Sequence, residues 1–434
     1  MVIKRDRYLK QMIAKKKNGM IKIITGIRRC GKSYLMNVLF REHLLQYGVQ
    51  ESEIIMLALD QDINIRYRNP LELGKHIRAL CANQTHFYYV LLDEIQKVDS
   101  IPNPYLPDNP KERVGFVDVL LGIKELPNVD LYVSGSNSKM LSMDILTEFK
   151  DRGEEIRINP LTFDEFMSAY QDDNRMAWPE FITYGGMPFV LSKTSHADKA
   201  AYLQGLFERT YITDVIERNK LKNAKDVLED LLNILASSIG SFTNTSKLEN
   251  TFKSERHINI SHNTISSYID HLIDAFILKR AVRYDIKGRK YIGAQQKFFY
   301  SDVGLRNARL NFRQQEENHI MENIIYNELT ARGFSVDVGV IETMIVNSAG
   351  KRQRSPLEVD FVCHRGHSRY YIQSALTVAE ESKRKQEINS LTRIDDSFEK
   401  IVVIRDYIVR SRDEAGILYI NVEDFLLNYI NNME

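Results

Sequence analysis

The sequence predicts an α/β protein whose first part is a parallel sheet covered by helices on both faces. Three observations carry this. Short apolar runs alternate with helix-like stretches through the first 170 residues. A glycine-rich turn joins the first run to the first helix. The runs are nearly continuously apolar, as suits strands buried on both faces.

Met20–Ile24 reads as the first strand, and Ser33 to Gln46 has helical periodicity after the turn. Glu53 to Leu59, Phe87 to Leu92 and Val129 to Val133 read as three more strands. Pro102 to Asn109 is a proline-rich loop. It is either a segment that meets a partner or an ordinary surface insertion. Pro160-Leu161-Thr162-Phe163 ends the sheet pattern, which places the first domain over residues 1–170.

Residues 171–224 read as a helical lid or linker, broken at Gly185-Gly186-Met187-Pro188. Val227 to Ile239 and Asn244 to Phe252 have helical patterns, and Ser261 is a good N-cap for a third helix over Asn263 to Phe276. Two strand-like runs follow, Leu278 to Tyr284 and Lys290 to Tyr300, with Lys287-Gly288-Arg289 at the turn. Three helices followed by a hairpin is the order of a winged helix-turn-helix, assigned to 225–305. A separate α/β module is expected over 310–434. It has a helix at Ile320 to Arg332 and strands at Phe334 to Val340, Glu358 to Cys363, Arg369 to Ser374 and Ile401 to Ile404.

A chain of 434 residues is too long for one ordinary core, which agrees with several domains. The formal net charge of +1 excludes a wholly basic nucleic-acid binder, so any such affinity needs a local basic face. Cys30, Cys81 and Cys363 lie far apart, with neither metal-ligand spacing nor a disulfide framework. No apolar run approaches the roughly 18 to 20 residues of a membrane span. No secretory signal pattern precedes the glycine-rich turn. A cytoplasmic protein without a membrane partner is the expectation.

Gly26-Ile27-Arg28-Arg29-Cys30-Gly31-Lys32-Ser33 is a complete phosphate-binding loop, set between a strand and a helix as its chemistry requires. The glycines let backbone N–H groups approach a β-phosphate, and the helix adds its positive end. Lys32 is expected to reach the β- and γ-phosphates, and Ser33 to ligate Mg²⁺. The nucleotide contacts are assigned to residues 26–33 and Tyr34, with ATP and Mg²⁺ as cofactors.

Tyr88-Tyr89-Val90-Leu91-Leu92-Asp93-Glu94 is a buried strand ending in two carboxylates. Asp93 is expected to hold Mg²⁺, and Glu94 to polarise the attacking water. The fourth strand ends in Ser134-Gly135-Ser136-Asn137. There Ser136 or Asn137 would sense the γ-phosphate or orient the water, unless the segment is a plain turn. Arg152 is either an arginine finger for a neighbouring subunit or a surface charge paired with Asp151 or Glu154. Arg113 is a weaker rival for the finger.

Those segments, with Asp151-Arg152-Gly153, Pro160-Leu161-Thr162-Phe163-Asp164-Glu165-Phe166 and Tyr184-Gly185-Gly186-Met187-Pro188, resemble a large prokaryotic family of AAA-type ATPases with a C-terminal domain of unknown function. The similarity runs over nearly the whole chain. It implies an AAA+ core, a winged-helix middle domain and a C-terminal fold similar to restriction endonucleases. Glu322 and Glu358-Val359-Asp360 resemble the first acidic positions of that nuclease fold. Where Glu-x-Lys is needed next, the chain has Gln373 and Ala375, so the module reads as degenerate and non-cleaving.

Asn263, Thr264, Ser266 and Ser267 open the third helix and would face double-stranded DNA, with Lys287, Arg289 and Lys290 on the wing. The same fold serves equally as a protein-binding module. The expected function is an ATPase that couples nucleotide state to these later domains, acting on DNA or a protein, as a possible homo-oligomer. The alternatives are a nucleotide-gated DNA-binding module with negligible hydrolysis, and an active nuclease.

Overall fold

Five strands of the first unit meet as a wholly parallel sheet: β1 (Ile21–Thr25), β2 (Ile54–Ala58), β3 (Tyr88–Asp93), β6 (Val129–Ser134) and β7 (Gly153–Arg157). Two short strands, β4 (Ile101–Pro102) and β5 (Arg113–Val114), pair with each other beyond β3. The sheet order is β2-β3-β6-β1-β7, so β6 lies between β1 and β3. The computed structural model describes residues 3–109, 111–135, 149, 152–313, 316–346 and 352–433. Chain contacts divide it into two units, residues 1–160 and 161–434.

The apolar runs become strands because the helices bury them. Ile21, Ile23, Val90, Leu92 and Val133 share one core with Ile77 and Leu120 of two covering helices, Pro70–Leu80 and Phe116–Lys124. Asn69 caps the first of these, and Pro70 opens it where a missing N–H costs nothing. Lys22 is a lysine inside a buried strand. Its ammonium reaches the Asp130 carboxylate of the adjacent β6, and both side chains are buried. Burial nonetheless lowers the Lys22 pKa.

The α/β expectation with a parallel sheet is borne out. The sequence pattern missed β7, because Gly-Glu-Glu-Ile-Arg offers one apolar residue. That strand is at the sheet edge, where charged side chains face water.

In the second unit, helices at Ala177–Tyr184, His196–Leu206 and Ile212–Asn219 precede three more at Lys225–Ser237, Thr245–Glu255 and His262–Asp274. Ser261 accepts from the Thr264 N–H, the N-cap that its sequence position suggests. Strands β8 (Leu278–Asp285) and β9 (Lys290–Tyr300) form the hairpin. The remaining strands are β10 (Ser335–Val346), β11 (Arg352–Arg365), β12 (Ser368–Ala375), β13 (Glu399–Ile404), β14 (Ser411–Arg412) and β15 (Leu418–Asn421).

All eight make one sheet, in the order β14-β15-β13-β12-β11-β10-β8-β9. Thus β8 pairs in parallel with β10, through Val338 opposite Arg283 and Gly339 opposite Tyr284. The sequence places a boundary between residues 305 and 310, but this ladder runs across it. Hydrophobic periodicity reports that a strand exists, not which strand it will pair with.

The Gly185-Gly186 break has a mechanical cause. Gly185 sits at φ +70°, and a Cβ there would lie 2.2 Å from Asp302 Oδ1. The Gly186 N–H donates to Asp302 Oδ2 at 2.6 Å, and the Leu305 N–H to Oδ1 at 3.0 Å. Burial raises the Asp302 pKa to about 6 against these favourable hydrogen bonds. A folded pKa above the unfolded value means that the native state binds the proton more tightly. The group's contribution to stability is therefore greatest below about pH 4 and falls as pH rises through about 6. Relative to Asp302→Asn, the wild-type unfolding free energy should fall by about 3 kcal/mol across that window. Urea melts at a series of pH values check this, and a difference independent of pH refutes it.

Candidate functional site

The loop after β1 is shaped by close backbone approach. Gly26 has φ +140°, and a Cβ would lie 2.1 Å from the Ile158 carbonyl oxygen. That carbonyl is fixed, because the Ile158 N–H donates to Thr25 O at 2.8 Å. Gly31, at φ +102°, stands at the start of the helix in the left-handed region, and Arg29 is also left-handed. The Lys32 ammonium, 4% exposed, donates to the carbonyls of Gly26 at 2.9 Å and Ile27 at 3.1 Å. Ile27 and Cys30 are buried, Arg28 and Tyr34 half-buried, and Arg29 and Ser33 exposed.

The helix runs from Lys32–Tyr34 through a π-helical turn, Leu35–Phe40, to Arg41–Gln46. Asn37, four residues after Ser33, donates to Asp93 Oδ2 at 3.3 Å. Ser134, at the end of β6, donates to Asp93 Oδ1. The Glu94 N–H also donates to Oδ1, at 3.1 Å. The buried Asp93 carboxylate is therefore held by three neutral donors from the helix, β6 and its own turn. These offset part of the cost of burying a charge.

Glu94 sits at φ +54°, a conformation that non-glycine residues rarely adopt and that recurs at functional sites. Gln96 donates its amide to Glu94 Oε2. The sequence reading named Glu94 and Asp93 but missed Asn37, Ser134 and Gln96. A serine ending an apolar strand was the available signal for Ser134. Ser136 and Asn137 lie outside the described residues.

Arg152, just before β7, is exposed and lines a cavity with Arg113 and Gln96. No described contact joins Arg152 to the phosphate loop. Its backbone N–H donates to Phe149 O, and its carbonyl accepts from Ile21 N–H.

The second unit gathers charges at a separate place. Glu322 comes from the helix Glu317–Ala331, Glu358 and Asp360 from β11, and Lys297 from β9. The Lys297 ammonium, 3% exposed, is 3.3 Å from Glu322 Oε2 and also bonds Glu358. Burial opposes the lysine charge, but Glu322, Asp360 and Glu358 outweigh it and raise the pKa. Burial pushes the Asp360 carboxyl well up, with Glu322 adding to it. Asp360 Oδ2 accepts the Ser374 N–H at 2.8 Å, and the Asp360 N–H reaches Gln373 Oε1 at 3.4 Å. The sequence reading found the acids and missed the lysine, which arrives from another strand.

Sheet and loop together define a P-loop protein of the AAA type. Residues 18–167 match the family model described as "AAA domain", and residues 175–316 match "Domain of unknown function (DUF8612)". An uncharacterized protein of Haemophilus influenzae is 30% identical over 431 residues, covering 98% of this chain and 99% of its own length. This chain belongs to the same family as that Haemophilus protein, a family with an AAA domain. An uncharacterized protein of Methanocaldococcus jannaschii, MJ1544, is 25% identical over 434 residues, covering 93% of this chain and 87% of its own length. Among solved structures, a Walker-type ATPase of Pyrococcus abyssi aligns over 71% of this chain and 96% of its own, at TM-score 0.49 and 13% identity.

Gly26→Ala tests the loop geometry. It should destabilise the first unit by about 3 kcal/mol or more, since the Cβ meets a fixed carbonyl at a strained φ. Urea melts measure this, and an unchanged melt contradicts the close approach.

Proposed function

We propose that the chain is a Mg²⁺-dependent ATPase. One observation carries the reading: β1 and β3 end side by side across β6, so the phosphate loop and Asp93-Glu94 share one edge of the sheet. Ligands of open α/β sheets bind outside the carboxyl ends of the strands. Lys32 and the loop N–H groups bind the β- and γ-phosphates. Lys32 must then exchange its bonds to two loop carbonyls for phosphate oxygens.

The donor set suits Mg²⁺. Ser33 offers a hydroxyl and Asp93 a carboxylate, both hard oxygen ligands, and Asn37 and Ser134 orient the Asp93 carboxylate without a competing cation. Bound Mg²⁺ supplies positive charge to the phosphates. Glu94 takes the proton of the attacking water, and Gln96 holds that carboxylate in place. Ser136 and Asn137 retain the role of meeting the γ-phosphate or the water. Arg152 retains the role of a cation offered to a neighbouring chain.

We read the second unit as the part that nucleotide state controls, with residues 171–224 as lid or linker. The helices from Lys225 and the β8–β9 hairpin follow a winged-helix order. Asn263, Thr264, Lys287, Arg289 and Lys290 are candidates to meet double-stranded DNA, with a protein partner as the rival. The strands from β10 onward we read as a nuclease-like module that does not cleave. Lys297 supports this, because its ammonium already neutralises the carboxylates of Glu322 and Glu358.

Lys32→Ala should lower ATP affinity by about 100-fold or more and abolish phosphate release. Glu94→Gln should keep ATP binding and lower turnover about 100-fold or more. Fluorescent-nucleotide titration and phosphate release measure the two, and wild-type turnover in Glu94→Gln refutes the base assignment. Lys297→Met should cost about 3–5 kcal/mol in urea melts by removing the ammonium that Glu322, Glu358 and Asp360 surround, leaving His319 as the cation beside Glu322. Supercoiled plasmid should stay intact with the wild-type protein in Mg²⁺ or Mn²⁺; nicking or linearisation overturns the non-cleaving reading.

A further inference from the structure

The first unit carries a socket and an exposed plug of matching chemistry. The socket is a cavity of about 560 Å³. Val98, Phe116, Val117 and Leu121 give it an apolar lining, and Arg113 and Arg152 give it two cations. Arg113 donates to the Ser100 hydroxyl at 3.0 Å and to the Ser100 carbonyl. Among the described residues, neither guanidinium pairs with a carboxylate. Asp118 also lines the cavity, but its carboxylate accepts the Gly115 N–H at 2.8 Å and caps a helix.

The plug is the segment Asp60–Ile65 after β2. Ile63 is 80% exposed and Ile65 61% exposed, flanked by the exposed Asp60 and Asp62. Among the described residues, neither carboxylate pairs with a cation. The segment is tied down: the Asn64 amide donates to Ala58 O at 2.9 Å, and Arg68 to Leu59 O at 2.8 Å. The two isoleucines stand on the 3-10 helix Asp62–Arg68, and this ordered apolar surface gains hydrophobic free energy when it is covered.

We propose that the socket takes the Asp60–Ile65 segment of a second copy of this chain. Asp60 and Asp62 meet Arg113 and Arg152, so Arg152 serves the neighbouring chain as a docking cation and not as a finger on its γ-phosphate, and Ile63 enters the apolar lining. A nucleic-acid backbone offers the anions but nothing for that lining. Plug and socket are neighbours, since the Asp99 N–H, between Val98 and Ser100, donates to Arg68 O at 2.8 Å. One patch then carries both halves, and two copies close around a two-fold axis, each plugging the other. Gln96 lines the socket and donates to Glu94, so association reaches the hydrolytic carboxylate. That last link rests on the ATPase reading; the association does not.

Sedimentation velocity on the full chain tests the interface. The wild type should reach twice the 50.5 kDa of one chain. Arg113→Glu/Arg152→Glu and Asp60→Lys/Asp62→Lys should each weaken association by about 100-fold or more. Mixed together, they should recover the dimer, because each socket then meets an oppositely charged plug. Ile63→Ser, at an exposed position, should weaken association without altering the fold seen by circular dichroism. A monomeric wild type, a higher multiple, unaffected variants or a mixture that stays monomeric each overturn the proposal. ATP turnover per chain should change with the dimer fraction, and a constant rate removes the Gln96 link. Absence of any wild-type turnover is instead a failure of the ATPase reading, with the mass result unaffected.

Discussion

The candidate site depends on one buried carboxylate. Asp93 ends a strand that is buried along its length, and its charge must be satisfied there. Ser134 from β6, Asn37 from the loop helix and the Glu94 N–H all converge on it. A charge-assisted hydrogen bond is roughly twice as strong as a neutral one, and three of them hold this group in one orientation. The same contacts register the phosphate-loop helix against the sheet. The Glu94 turn follows directly, with a left-handed backbone at φ +54° and its carboxylate held by Gln96.

A second constraint acts from the other side of β1. The Ile158 carbonyl leaves room only for a glycine at position 26, so the residue that immediately follows β7 helps to shape the loop. The loop is therefore the product of two neighbours: the end of β7 presses on its start, and β3 supplies the acid opposite, held by Ser134 of β6. This is how a short local motif comes to need a whole sheet.

The second unit solves its charge problem differently. Glu322, Glu358 and Asp360 come together on a helix and a strand that the sequence patterns locate well. Their counter-charge comes from β9, a strand assigned by sequence to the preceding domain. Reading Gln373 and Ala375 alone gives an acidic site that has lost its lysine. The fold returns an ammonium to the cluster from Lys297, and in doing so joins the hairpin to the sheet. Edge strand β7 was illegible for a related reason, since a strand with one buried residue has no apolar run to detect.

The sequence by itself determined the phosphate loop, the Asp93-Glu94 strand end and the alternation that makes a parallel sheet. These are local properties: the glycine-rich turn is a pattern within eight consecutive residues, and apolar runs report burial directly. Tertiary structure alone decided which groups hold Asp93, where Lys297 points, and that Arg113, Arg152 and Gln96 share a cavity. Ser134 is 41 positions from Asp93, and Lys297 is 25 from Glu322. Strand order and register set such pairs, and neither is written in the periodicity of any one segment.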